Sequence, residues 1–158
     1  MGKAGSILRA SVAGAAGLLF GFQSTPNTAD QLAQARNLGK AFFENPTTQN
    51  ECLEQFKKAL DLAPDSVREQ INYGLALLHA GKTEEGVAQL LKAQKADPKI
   101  PHTWFNLGIA YENDSKTDEA IAQFQEMVKL VPDEAISHYN LGTLYQLNAQ
   151  PADAIREF

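Results

Sequence analysis

A period of 34 residues runs through this chain and constrains its fold more than any other feature. Glycine stands at Gly39, Gly74, Gly108 and Gly142, spaced by 35, 34 and 34 residues. Small residues stand at Cys52, Gly86, Ala120 and Ala154, and Pro64, Pro98 and Pro132 close successive units, both series at intervals of 34. Self-similarity at this length marks a stack of like supersecondary units, each burying its apolar face against its neighbours. A chain of this kind builds no single central core.

Punctuation between the landmarks predicts two helices per unit. Thr28-x-x-Gln31, Thr48-x-x-Glu51 and Ser66-x-x-Glu69 have the form of capping boxes, and each opens a predicted helix. The first helix runs to about Glu44, where Asn45-Pro46 breaks it. Ala63-Pro64 ends the second, because proline disfavours helical geometry in the residue before it. Gly81-Lys82-Thr83 and Ser115-Lys116-Thr117 read as turns, Pro101 suits a first helical position, and Asp133 reads as a cap. Ala149-Gln150-Pro151 leads into the last helix. Glycine inside a helix costs about 1 kcal/mol against alanine, so its periodic use predicts close helix–helix approach. That approach is expected between the glycine of the first helix and the small residue of the second. Tyr111, Phe124, Tyr145 and Phe158 are expected in the seams between hairpins.

Trp104, Leu107, Gly108, Tyr111, Ala120, Phe124 and Pro132 match, in order and spacing, the pattern W-x2-L-G-x2-Y…A-x3-F…P. The next unit reads His138, Leu141, Gly142, Tyr145, Ala154, Phe158, and the preceding one Gln70, Tyr73, Gly74, Leu77, Gly86, Leu90, Ala93, Pro98. A weaker unit precedes both, through Leu38, Gly39, Phe42, Cys52, Phe56, Ala59 and Pro64, with one extra residue in its turn. On these residues the chain resembles the tetratricopeptide repeat family over residues 28–158. The resemblance implies an all-α fold, a right-handed superhelical solenoid of antiparallel helix hairpins. Its units are expected at about 32–66, 67–100, 101–134 and 135–158, the last truncated about ten residues early. The expectation drawn from that truncation is a fragment, or an open edge that meets another chain.

Charge and chemistry narrow the function. From Asp30 onward there are 12 Lys and Arg against 19 Asp and Glu, so the repeat region carries −7. No basic stripe of the kind that neutralises phosphates is present, which argues against nucleic acid as partner. Cys52 is the only cysteine and sits at the small-residue position, so it reads as a packed thiol. His79, His102 and His138 form no i, i+4 pair and no H-E-x-x-H motif, and no Gly-rich phosphate loop, G-x-S-x-G or Cys-x-x-Cys occurs. His138 falls at the tryptophan position, where a packed ring is the simpler reading. Glu84-Glu85 and Asp118-Glu119 fit first helical turns, at the positive end of the dipole. No enzyme, metal site or cofactor is expected.

Residues 1–25 read differently. Lys3 and Arg9 precede 13 mostly apolar residues, Ala10 to Phe22, the form of a secretory signal. As a helix they would span only ~20 Å, short of a bilayer core of roughly 30 Å. The expectation is export, to a bacterial periplasm or the extracellular space. Retention of residues 10–22 makes the segment a membrane anchor instead. Gly2 and Ser6 also fit a myristoylation pattern, which the adjoining apolar run explains better.

In tetratricopeptide proteins the first helices of successive units form a concave surface that commonly takes up an extended peptide or a partner helix. Placed on this register, the inward positions are Arg36, Asn37 and Lys40, then Arg68, Asn72 and Leu75. The third unit supplies His102, Phe105, Asn106 and Ile109, and the fourth Tyr139, Asn140 and Thr143, with Phe43 and Ile71 alongside. Asn37, Asn72, Asn106 and Asn140 occupy one register position, and side-chain amides there can donate to and accept from a peptide backbone. In part the set resembles the carboxylate clamp of chaperone-binding members, with Arg36, Lys40 and Asn72 on matching positions, although His102 and Asn106 replace two basic residues. The function so implied is a non-catalytic scaffold for a protein or peptide partner. One alternative is an N-terminal accessory module of a longer exported protein, of the type in which such repeats precede FG-GAP and ASPIC/UnbV regions. The other is a membrane-tethered assembly factor.

Overall fold

The computed structural model describes residues 27–158, and the signal or anchor segment read at 1–25 lies outside them. Among the described residues there are eight α-helices and no strands. They are α1 (Thr28–Phe43), α2 (Gln49–Leu62), α3 (Val67–His79), α4 (Thr83–Ala96), α5 (Pro101–Asn113), α6 (Thr117–Leu130), α7 (Ala135–Leu147) and α8 (Pro151–Glu157). A 3₁₀ turn over Pro46–Thr48 carries the extra residue of the first unit. Helices pack in chain order, α1 on α2, α3 on α4, α5 on α6 and α7 on α8, and each hairpin packs on the next. The fold is an all-α helical solenoid. No helix among the described residues is long and apolar enough to cross a membrane.

Helix starts depart from the capping-box reading at several places. Asn27, one residue earlier than expected, caps α1 by accepting from the Asp30 N–H at 2.9 Å. Thr48 precedes α2, but its hydroxyl donates to the carbonyls of Phe42 (2.8 Å) and Asn45 (2.9 Å) and so ties the turn rather than the helix. Ser66 does accept from Glu69 N–H, at 3.5 Å, whereas the Glu69 side chain turns elsewhere. Glu134, not Asp133, precedes α7, with no side-chain cap bond. Short polar side chains have several backbone partners within reach, and sequence alone does not rank them.

Helix ends are more uniform. In each of the last three hairpins the first helix closes with a residue in the left-handed region, Gly81 (φ 74°), Ser115 (φ 59°) and Ala149 (φ 54°), spaced 34 apart. The N–H of the following residue reaches back five positions, Lys82 to Leu77 (2.9 Å), Lys116 to Tyr111 (2.8 Å) and Gln150 to Tyr145 (2.8 Å). This is the Schellman closure, for which glycine is the natural residue because it lacks a Cβ.

Packing within the hairpins corrects one expectation. In units one, three and four the helix glycine faces the large side chain four residues beyond the small position rather than the small residue itself, whereas in unit two Gly74 also meets the backbone of Gly86, as expected. A Cβ on Gly39 would stand 2.8 Å from the Phe56 ring, one on Gly108 2.8 Å from Phe124, and one on Gly142 2.8 Å from Phe158. On Gly74 it would meet Leu90 at 3.1 Å. Phe124 is thereby fully buried, with Phe105 set edge-on to its ring at 5.9 Å. Its contacts lie within its own hairpin as well as in the seam. Tyr145 fills the next seam, where its hydroxyl accepts from Gln125 at 2.7 Å, and Tyr111 packs against the same cluster. Cys52 is buried beside Phe56 and Ala76, and burial raises its thiol pKa, as expected of an inert packed group.

A second device joins units end to end. Gln70, Trp104 and His138, at one register position, each place a side-chain nitrogen on the carbonyl of the proline six residues back. These are Pro64 (2.9 Å), Pro98 (2.8 Å) and Pro132 (2.8 Å). Three different side chains thus satisfy the same exposed chain turn.

Ala149 takes the left-handed position that Gly81 takes without steric penalty, at a cost of about 1–2 kcal/mol for an L-residue. Ala149→Gly is therefore expected to stabilise the chain by about 0.5–1 kcal/mol after the entropic penalty of glycine is subtracted. Thermal unfolding measures this, and a lowered midpoint would contradict the assigned turn.

Candidate functional site

The first helices of units one to three place two adjoining hollows on one face. The smaller, a cup of about 210 Å³, is lined by Lys40, Phe43, Glu44, Phe56, Asn72 and Leu75. The larger, about 480 Å³, lies between α3 and α5 and is lined by Arg68, Ile71, Asn72, Leu75, Ile100, His102 and Asn106. Asn72 and Leu75 belong to both, so the hollows run into each other. The cup's floor is apolar because Phe56 presses on Gly39, leaving the ring edge open beside Phe43 and Leu75.

Charge is distributed unevenly over this face. Arg68 and His102 are exposed at the larger hollow, and no carboxylate lines it. Lys40 and Glu44 stand together at the rim of the cup. Arg36 is committed: its Nε donates to Glu69 Oε1 at 3.0 Å, and its Nη2 donates to the same oxygen. The Glu69 side chain is fully buried, and its other oxygen accepts from the Asn72 amide at 3.3 Å. A buried carboxylate is tolerable only when paired and hydrogen-bonded, which these two partners accomplish.

Six of the thirteen expected groove residues therefore meet around the hollows: Lys40, Arg68, Asn72, Leu75, His102 and Asn106. Arg36 stands behind them in its ion pair. Phe105 and Ile109 pack against the core of units three and four. Asn37 is exposed on α1, and Tyr139, Asn140 and Thr143 lie on α7, away from both hollows. The asparagine ladder is partly spent within the fold, since Asn72 donates to Glu69 and Asn106 donates to the His102 carbonyl at 2.6 Å. Sequence reasoning missed Glu44, Phe56 and Ile100 as lining, and missed Glu69 altogether by reading it as half of a capping box. A signal for Glu69 was present. Its register position is taken by Thr103 and Ser137 in later units, both fully buried, so a carboxylate there demands a cation.

Among the described residues no group of three or more His, Cys, Asp or Glu is placed to hold a metal ion. The family model described as Tetratricopeptide repeat matches three overlapping stretches, residues 51–101, 71–135 and 105–158. The chain belongs to the tetratricopeptide repeat family. No curated protein matches the sequence. Among solved structures, the tetratricopeptide array is similar to a crystal structure of MamA, with TM-score 0.73 and 20% identity over 84% of this chain and 74% of that one. The TPR domain of Arabidopsis OM64 aligns with TM-score 0.70 and 18% identity, over 76% of this chain and 98% of its own. YrrB, described as a TPR protein with an unusual peptide-binding site, aligns with TM-score 0.67 and 20% identity, over 80% of this chain and 64% of that one. Likeness at this level of identity concerns the fold. Tetratricopeptide proteins are generally non-catalytic scaffolds for protein interaction.

Removing Arg36 would leave the Glu69 carboxylate buried with only an amide partner. Arg36→Met is expected to destabilise the array by about 3–5 kcal/mol at neutral pH. Arg36→Met combined with Glu69→Thr, which installs the side chain found at Thr103, is expected to recover most of that loss. Urea unfolding of the two single variants, the double variant and the parent completes the cycle, and an additive result would show that the pair is not coupled.

Proposed function

We propose that the chain is a non-catalytic scaffold whose concave face holds an extended segment of a partner protein across the two hollows. The observation that carries this reading is their continuity: Asn72 and Leu75 line both, so one peptide spans cup and hollow without a break. An apolar side chain fits the cup of Phe43, Phe56 and Leu75. An acidic or carbonyl-rich stretch suits the larger hollow, where Arg68, His102 and the amide of Asn106 meet no opposing carboxylate. Because Arg36 is held by Glu69, the basic grip available to a ligand in unit one is Lys40. YrrB, a TPR protein with an unusual peptide-binding site, supports peptide binding by a like fold.

The reading is tested with peptides selected from a random displayed library on the immobilised parent chain. Leu75→Glu and Arg68→Glu are each expected to weaken the selected peptides about tenfold or more by fluorescence anisotropy, with helicity unchanged by circular dichroism. Lys92→Glu, exposed on α4 and away from both hollows, is the control. Selected peptides that bind all three variants as they bind the parent would place the interaction elsewhere.

We also infer that residues 1–25 direct export, on the basic start at Lys3 and Arg9 and the apolar run from Ala10 to Phe22. Intact mass of the protein from its native host decides between the forms. A loss of roughly 2–3 kDa from 17.2 kDa is expected for a removed signal. An uncut N-terminus would make the scaffold membrane-tethered, and a mass well above 17.2 kDa would make it a module of a longer protein.

A further inference from the structure

The register position that ties each unit to the preceding proline carbonyl carries a permanent donor in units two and three, Gln70 and Trp104. Unit four carries His138. Its Nε2 lies 2.8 Å from the Pro132 carbonyl and its Nδ1 lies 2.7 Å from Glu157 Oε2 on α8. Both partners are acceptors, a carbonyl oxygen and a carboxylate oxygen. A neutral imidazole donates from one nitrogen only, so the arrangement is complete only for the imidazolium. Neither Gln70 nor Trp104 makes a comparable bond to its second helix, and His138 alone spans from the turn before α7 to the end of α8.

We propose that His138 is a protonation-controlled clip that holds α8 against α7, so that the fourth hairpin loosens as pH rises through the titration of this ring. The surrounding charges agree. Besides Glu157, Asp133 in the preceding turn acts on the ring, and α7 carries no other charged side chain. On α8, Asp153 and Arg156 satisfy each other. On α6, Lys129 borders the hollow that Glu157 lines but is paired with Glu126 at 2.5 Å. The Pro132 carbonyl first, and Glu157 second, raise the His138 pKa above the ordinary histidine value. The sign follows: a raised folded-state pKa gives stability that is full below the unfolded value of about 6.5 and is lost as pH climbs through the folded one.

What α8 holds in place gives the clip a consequence. Phe158 rests against Gly142 and meets the Tyr139 ring at 6.0 Å. Opening of α8 breaks both contacts. The inference stands on the His138 contacts and is independent of the peptide reading.

Hydrogen exchange of the backbone amides of residues 154–158, corrected for the intrinsic effect of pH on exchange, reads the opening directly. Protection in the parent is expected to fall about tenfold or more between pH 6 and pH 8.5, the scale of a lost charge-assisted hydrogen bond. His138→Gln, which keeps a donor to Pro132 as Gln70 does to Pro64, is expected to give protection that does not change over that range. NMR titration of the ring supplies a second readout that survives any loss of folding in that variant. The parent midpoint is expected above about 6.5 and nearer to it in Glu157→Gln. A parent change below twofold, a His138→Gln profile like the parent's, or equal midpoints in parent and Glu157→Gln would each overturn the clip.

Discussion

The contact between a glycine on the first helix and a large side chain on the second sets the spacing on which everything else in this array depends. With no Cβ at Gly39, Gly108 or Gly142, the phenyl rings of Phe56, Phe124 and Phe158 lie directly on helix backbone. Each hairpin is thereby thin enough for the next to pack beside it in the same relation. In unit two Leu90 replaces phenylalanine, and a Cβ on Gly86 would stand 2.9 Å from the carbonyl of Gly74, so two backbones approach where the ring is missing. The volume lost in the side chain is recovered by backbone proximity, as close packing requires. The cup of the concave face is a by-product of the same contact, since its floor is the Phe56 ring that Gly39 allows inward.

Much of this was legible in the sequence because it repeats. Helix number and hairpin pairing follow from landmarks that recur three or four times, so one ambiguous unit is corrected by its neighbours. The turn closures at Gly81, Ser115 and Ala149 were placed correctly, although only the glycine announces its left-handed backbone. Features that occur once were read less well. Thr48 and Ser66 both have the spacing of a capping box, yet one ties a 3₁₀ turn and the other caps a helix, since local hydrogen bonds of similar strength compete. Of the expected groove positions, spacing alone did not tell which are packed within the array. Phe105 and Ile109 are packed against the core of units three and four, which no spacing within unit three reveals.

The Arg36–Glu69 pair shows how interior chemistry shapes the surface. A carboxylate at the position of Thr103 and Ser137 costs several kcal/mol in desolvation unless answered by charge and hydrogen bonds. The nearest source is unit one, whose Arg36 holds the register place of Ile71 and Phe105. One inward cation is thus spent on a buried anion, and Asn72 turns one amide donor to the same task. The basic side chains that remain at the hollows, Lys40 at the cup and Arg68 at the larger one, are not part of this pair. A clamp for a terminal carboxylate would need those committed groups to be free. The arrangement favours a ligand recognised by an apolar anchor and flanking polarity.

Repeat arrays conduct little along their length, because each unit meets only its neighbours. The hollows are built from α1, α2, α3 and α5, whereas the His138 contacts join the Pro132 turn to α8. Between them stands the seam of Phe124, Leu141, Leu144 and Tyr145, which is closed without titratable partners to His138. A change of protonation at the last hairpin is therefore absorbed there, in the exposed pair of Tyr139 and Phe158, before it reaches the peptide-sized hollows. The two ends of the concave face are separable in energy. One end is fixed by a permanent buried ion pair, the other by a bond whose donor comes and goes with pH, and the period that makes the units alike is what keeps these differences local.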